Sequence, residues 1–218
     1  MSFLKIFSRP AKKKEEDRGK FFEMVSFVEE RELRTRLPEL AGQKALEISP
    51  QHRPLTSLLK EKGAKSVARL GGLKEKETPG AKEETFILSH WEHLPFLDNS
   101  WDFVLLRAAF LKGGLGRILR ESSRILKRQG LVMVCDLHPF SRRVQEEHLK
   151  NPVGEEGVGP GFERYFRFYR DSGLRLHAVK ELFYEGSLKK FFVSKEEQKE
   201  FDQLRRTPFL IFFLLKKE

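Results

Sequence analysis

The run Pro208-Phe209-Leu210-Ile211-Phe212-Phe213-Leu214-Leu215 contains no polar side chain. A strand that is apolar on both faces needs cover above and below, so this segment belongs inside a sheet flanked by two layers. Leu131-Val132-Met133-Val134-Cys135 makes the same demand. With 39% hydrophobic residues, 20 of them Phe, a chain of 218 residues has material for such a core.

The remaining segments read as strands alternating with helices. Residues 15–36 have helical period, with Phe21, Met24, Val25 and Val28 at i, i+3, i+4 and i+7, and Pro38 ends the pattern. Lys44–Ile48 is a short apolar strand with Glu47 near its end, and Ser49-Pro50-Gln51-His52-Arg53 is a polar turn. Residues 54–63 then form a helix, opened by Pro54 and closed by Gly63. Residues 64–70 are a second strand, and the charged link 71–84 is broken by Pro79-Gly80. Residues 85–88 are a third strand, and 98–106 run through a turn into a fourth. Leu115, Ile118, Leu119, Ser122, Ile125 and Leu126 mark a helix before the fifth strand. Residues 162–171 form a helix with Tyr165, Phe166 and Tyr169, ended by Gly173. Residues 174–179 alternate as a sixth strand, and Ser194-Lys195-Glu196-Glu197 is a capping box opening a last helix.

From residue 44 to 136 this order resembles the class I S-adenosylmethionine-dependent methyltransferases of the type 11 group. Leu94-Pro95-Phe96, Trp101-Asp102-Phe103-Val104 and the string Arg120-Glu121-Ser122-Ser123-Arg124-Ile125-Leu126-Lys127 carry the likeness. The resemblance implies a Rossmann-like α/β fold with a seven-stranded, mostly parallel sheet, its last strand inserted antiparallel between strands five and six. It also implies S-adenosylmethionine as cofactor. Aligned on Glu47, the family's three glycines fall on Ser49, Gln51 and Arg53; its ribose-binding acid falls on Leu70; its adenine-binding acid falls on His90, beside Trp91. Glycines there let the backbone approach a cofactor without a Cβ, so their loss changes the lining of the turn. Arg53 is expected to fold across the cleft toward Glu47 or Asp136, because an unpaired strand-end acid in a dry cleft is costly.

Three function classes follow. The departures favour a degenerate domain kept as a non-catalytic binding or partner module. An active methyltransferase with a rebuilt cofactor site and a small-molecule acceptor is the alternative. A nucleic-acid-associated protein is the third, raised by the net charge of +10. Residues 1–20 hold seven basic and three acidic residues, a surplus of four, and part of the excess is a basic N-terminal arm at 1–14, ahead of a single domain at 15–218. No RNA-binding aromatic signature or zinc-finger spacing accompanies the charge, and a solvated surface is the simpler reading.

Within that domain, 137–173 is the expected substrate or lid region, with the Gly- and Pro-rich stretch 151–161 at its centre. His138, leaving strand five at the ligand-binding edge of such sheets, is the candidate general base or substrate anchor. Its alternative is a hydrogen-bonded loop histidine. Glu146, Glu147 and His148 lack metal-ligand spacing, so no metal is expected. The one cysteine, Cys135, sits in an apolar run and fits a reducing cytoplasm; no run is long enough to suggest a membrane span.

Overall fold

The computed structural model describes residues 11–49, 54–72, 85–89, 93–109, 111, 114–141 and 161–218. The chain divides into two compact units. One comprises the residues up to Arg36 with Tyr184–Arg205; the other comprises Leu37–Phe183 with Arg206–Glu218.

The larger unit is built on one seven-stranded sheet: β1 (Lys44–Ile48), β2 (Ser66–Gly72), β3 (Thr85–Ser89), β4 (Trp101–Arg107), β5 (Leu126–Leu137), β6 (Leu174–Phe183) and β7 (Pro208–Lys217). The strand order is β3-β2-β1-β4-β5-β7-β6. All pairings are parallel except those of β7, which lies antiparallel between β5 and β6. The eight-residue apolar run is thus the interior strand that its composition demands. Its Phe213 is flanked by Val134 on β5 and Val179 on β6.

One face of this sheet, with Leu46, Ile48, Leu70, Val104, Leu106, Val134 and Phe213, packs with two helices. Leu115, Ile118 and Leu119 come from α3 (Leu115–Ile125), and Tyr165, Phe168 and Tyr169 from α4 (Phe162–Asp171). Both helices place apolar residues at helical spacing on one side, which is why they settle here. The Tyr165 and Tyr169 rings lie 4.8 and 5.3 Å from that of Phe213.

The smaller unit contains α1 (Ala11–Arg36), a 3-10 turn at Gly186–Phe191, and α5 (Lys195–Leu204). Helix α1 begins ahead of the periodic apolar positions and includes Lys12–Lys14 from the basic arm. The capping box at the start of α5 forms as its sequence predicts. Ser194 Oγ accepts the Glu197 N–H, and Glu197 Oε2 accepts the Ser194 N–H. The Lys20 ammonium, 2.6 Å from Glu197, holds that carboxyl well below its usual range, at about 2.

The best-preserved strings of the methyltransferase-like pattern turn out to touch one another. Arg124 donates to the carbonyls of Leu94 and Phe96 and to Asp98 and Glu121, while Glu121 accepts the Leu94 N–H. Arg124 is the main reason that the Glu121 carboxyl titrates below the usual range. Asp102 likewise binds Lys127 Nζ at 2.7 Å and the Lys44 N–H at 2.9 Å, joining the starts of β1 and β4 to the start of β5. Burial alone would raise the Asp102 carboxyl, but these hydrogen bonds outweigh it and lower it.

The irregular start of β5 separates two roles that glycine can play. Gln129 takes the left-handed conformation at φ +67°, whereas Gly130 does not. A Cβ at Gly130 would meet Lys127 O at 2.9 Å and Asp102 O at 3.0 Å. Gly130→Ala is therefore expected to destabilise by about 2 kcal/mol through overpacking. Gln129→Gly, which relieves a left-handed side-chain conformation, should gain up to about 1 kcal/mol. Urea midpoints of the two variants should move in opposite directions; a shift of the same sign would refute this division.

Candidate functional site

In open α/β sheets ligands lie at the carboxyl ends of the strands, where the strand order reverses. Here that point is the boundary between β1 and β4. Glu47, the penultimate residue of β1, is fully buried there. Its Oε1 lies 3.1 Å from Nη1 of Arg107, the last residue of β4, and its Oε2 accepts the Leu55 N–H at 2.8 Å. Leu55 leads into α2 (Thr56–Glu61), so one carboxylate ties the ends of two strands to the start of the crossover helix. Arg107 is also fully buried. Nothing in the sequence analysis singled it out. The available signal was a guanidinium closing the apolar run Phe103-Val104-Leu105-Leu106, since a cation so placed requires a partner.

Gln51, Arg53, His90 and Trp91 lie outside the described residues, as does the stretch 142–160. Among the described residues Glu47 pairs with Arg107, and the expected approach of Arg53 to Glu47 or Asp136 falls on a residue outside them. Ser49 is buried, and its N–H donates to Leu70 O at 3.2 Å. Leu70 pairs in register with Ile48 and Ile87 and shares their face, so its fully buried side chain belongs to the core over which α3 and α4 pack. The strand continues two residues beyond it, to Gly72, and from Ser66 to Gly72 it carries no carboxylate.

At the end of β5, Asp136 Oδ2 accepts the Tyr165 hydroxyl at 2.9 Å, and its Oδ1 accepts the Leu137 N–H at 2.7 Å. Burial, and then the Asp136 charge, push the Tyr165 phenol well above its usual value, so it stays a donor. Tyr169, raised by the same two causes, lies beside it.

His138 is buried, and both ring nitrogens are engaged. Nδ1 accepts the Phe140 N–H at 3.1 Å, which leaves the ring hydrogen on Nε2, 2.8 Å from Glu181 Oε1 on β6. The imidazole clamps the turn after β5 onto the edge strand and offers no free lone pair to a substrate. Phe140 and Phe162 pack around it, and Phe140, Phe166, Val179 and Phe183 leave exposed apolar surface nearby.

The same arrangement of strands is found in known enzymes. An S-adenosylmethionine-dependent methyltransferase from Mesorhizobium loti superposes with a TM-score of 0.61, covering 87% of this chain and 97% of that one at 18% identity. The chain has the class I methyltransferase fold. A geranyl diphosphate methyltransferase in complex with S-adenosylmethionine matches this methyltransferase-fold chain with a TM-score of 0.64 at 12% identity, covering 88% of this chain and 85% of its own. In sequence, the demethylmenaquinone methyltransferase of Thermotoga maritima is 29% identical over 164 residues, 67% of this chain and 69% of that protein. A family model described as a methyltransferase domain matches residues 61–134. The match begins beyond β1 and the turn where the family's glycines would stand. Among the described residues, no helix is long and apolar enough to cross a membrane.

Proposed function

We propose that this methyltransferase-fold chain works as a non-catalytic binding or partner module. The observation that carries the reading is β2: its seven residues hold no carboxylate, and Leu70 is packed into the core. A ribose presents two hydroxyls that need an acceptor, and a buried apolar side chain supplies none. The engagement of both Glu47 oxygens points the same way. On these grounds the described residues do not fit S-adenosylmethionine in the pose of the family, and no methyl-transfer step is derived for them. The buried thiol of Cys135 suits a reducing compartment.

Calorimetric titration with S-adenosylmethionine tests the reading. No heat is expected at micromolar concentrations. A dissociation constant near ~1 μM, about −8 kcal/mol, would sink it. The likeness to a demethylmenaquinone methyltransferase favours the second reading, an active methyltransferase with a rebuilt site and a small-molecule acceptor. Transfer of a labelled methyl group would establish it.

A further inference from the structure

We infer that Arg107 is a specificity-determining residue: it supplies Glu47 with a counter-charge from within the chain and so closes the β1–β4 switch point to ligands that present a cation. The inference rests on the reading of the site proposed above. A carboxylate buried at the end of β1 is suited to receive an ammonium or a set of donors from a ligand. In this chain a guanidinium from the neighbouring strand lies 3.1 Å from one oxygen, and a backbone N–H lies 2.8 Å from the other. Both side chains of the ion pair are wholly withdrawn from solvent. An incoming cation would have to displace the guanidinium from Glu47 and break a buried ion pair, which costs more than one ligand contact returns. The occupant that fits such a point is a neutral or anionic group.

The register explains why the arrangement is stable. Glu47 stands opposite Leu105 on β4, and Arg107, two residues further along, projects from the same face. The arginine therefore reaches the acid from beyond the end of β1, which is the side on which a ligand would approach. Removing it should leave a carboxylate and a cation-sized space.

The test is rescue of the full-length Arg107→Ala protein by methylguanidinium. The variant is expected to melt about 10 °C below wild type, because a buried charge loses its partner. Millimolar methylguanidinium should restore at least half of that loss while leaving wild type unmoved. A Glu47→Gln/Arg107→Met protein, in which this ion pair is removed altogether, should not respond. If Arg107→Ala does not fold alone, refolding only in the presence of methylguanidinium supports the inference, and failure to refold with it overturns it. An Arg107→Ala protein as stable as wild type, or one indifferent to methylguanidinium, also overturns it. Neither result bears on calorimetry with the unmodified protein, so the two ideas fail separately.

Discussion

Leu70→Asp is expected to destabilise the sheet core by about 5 kcal/mol rather than to rebuild a cofactor contact. Leu70 has no exposed surface and belongs to the buried cluster that includes Leu46, Ile48, Ala68 and Val104. Truncating a buried leucine costs about 2–5 kcal/mol, and burying an uncompensated carboxyl adds to that or forces the group to take up a proton. Total stability of a domain is about 5–15 kcal/mol, so the variant should approach the threshold of folding. Leu70→Val is the control, with an expected loss of about 1 kcal/mol. Urea unfolding followed by circular dichroism measures both. If Leu70→Asp kept the wild-type midpoint, its side chain would be reaching water, and position 70 would again be a candidate for contacting a ribose.

Phe213→Ala is expected to cost about 4 kcal/mol. The residue is fully buried at the centre of β7, with β5 and β6 on either side and the rings of Tyr165 and Tyr169 against it. Loss of its area and the cavity left behind account for about 3–5 kcal/mol, and each ring pair for about 0.5–1.5 kcal/mol within that. Phe213→Leu retains most of the volume and should lose about half as much. Chemical denaturation of the two variants decides the point. A cost below about 1 kcal/mol for Phe213→Ala would mean that β7 is not the strand that unites the sheet.

Much of the scaffold was legible from local pattern. The strands and helices of the larger unit fall where apolar period, proline and glycine put them, and the capping box at Ser194 needs only four consecutive residues. Leu94-Pro95-Phe96 and the Arg120–Lys127 string were recognised separately. The structure shows that they are two halves of one contact, through Arg124 and Glu121. β5 read as beginning at Leu131, yet it begins at Leu126, and its left-handed residue, Gln129, lies within that added stretch. The site was less legible. Leu70 read as the end of β2, yet the strand runs to Gly72, and in a strand each residue of offset exchanges the two faces. His138 was placed correctly at the end of β5, but the group that occupies its Nε2 lies 43 residues away, on β6.

By itself, the sequence determined that this chain builds a layered α/β sheet with an interior apolar last strand. Those are properties of residue type and short spacing, which burial and backbone geometry act on locally. Only the tertiary structure decided what meets Glu47. The pairing with Arg107 spans 60 residues and exists because the strand order sets β4, rather than β3, beside β1. Charges in a dry interior must find partners, but which partners they find depends on how the strands are ordered in space.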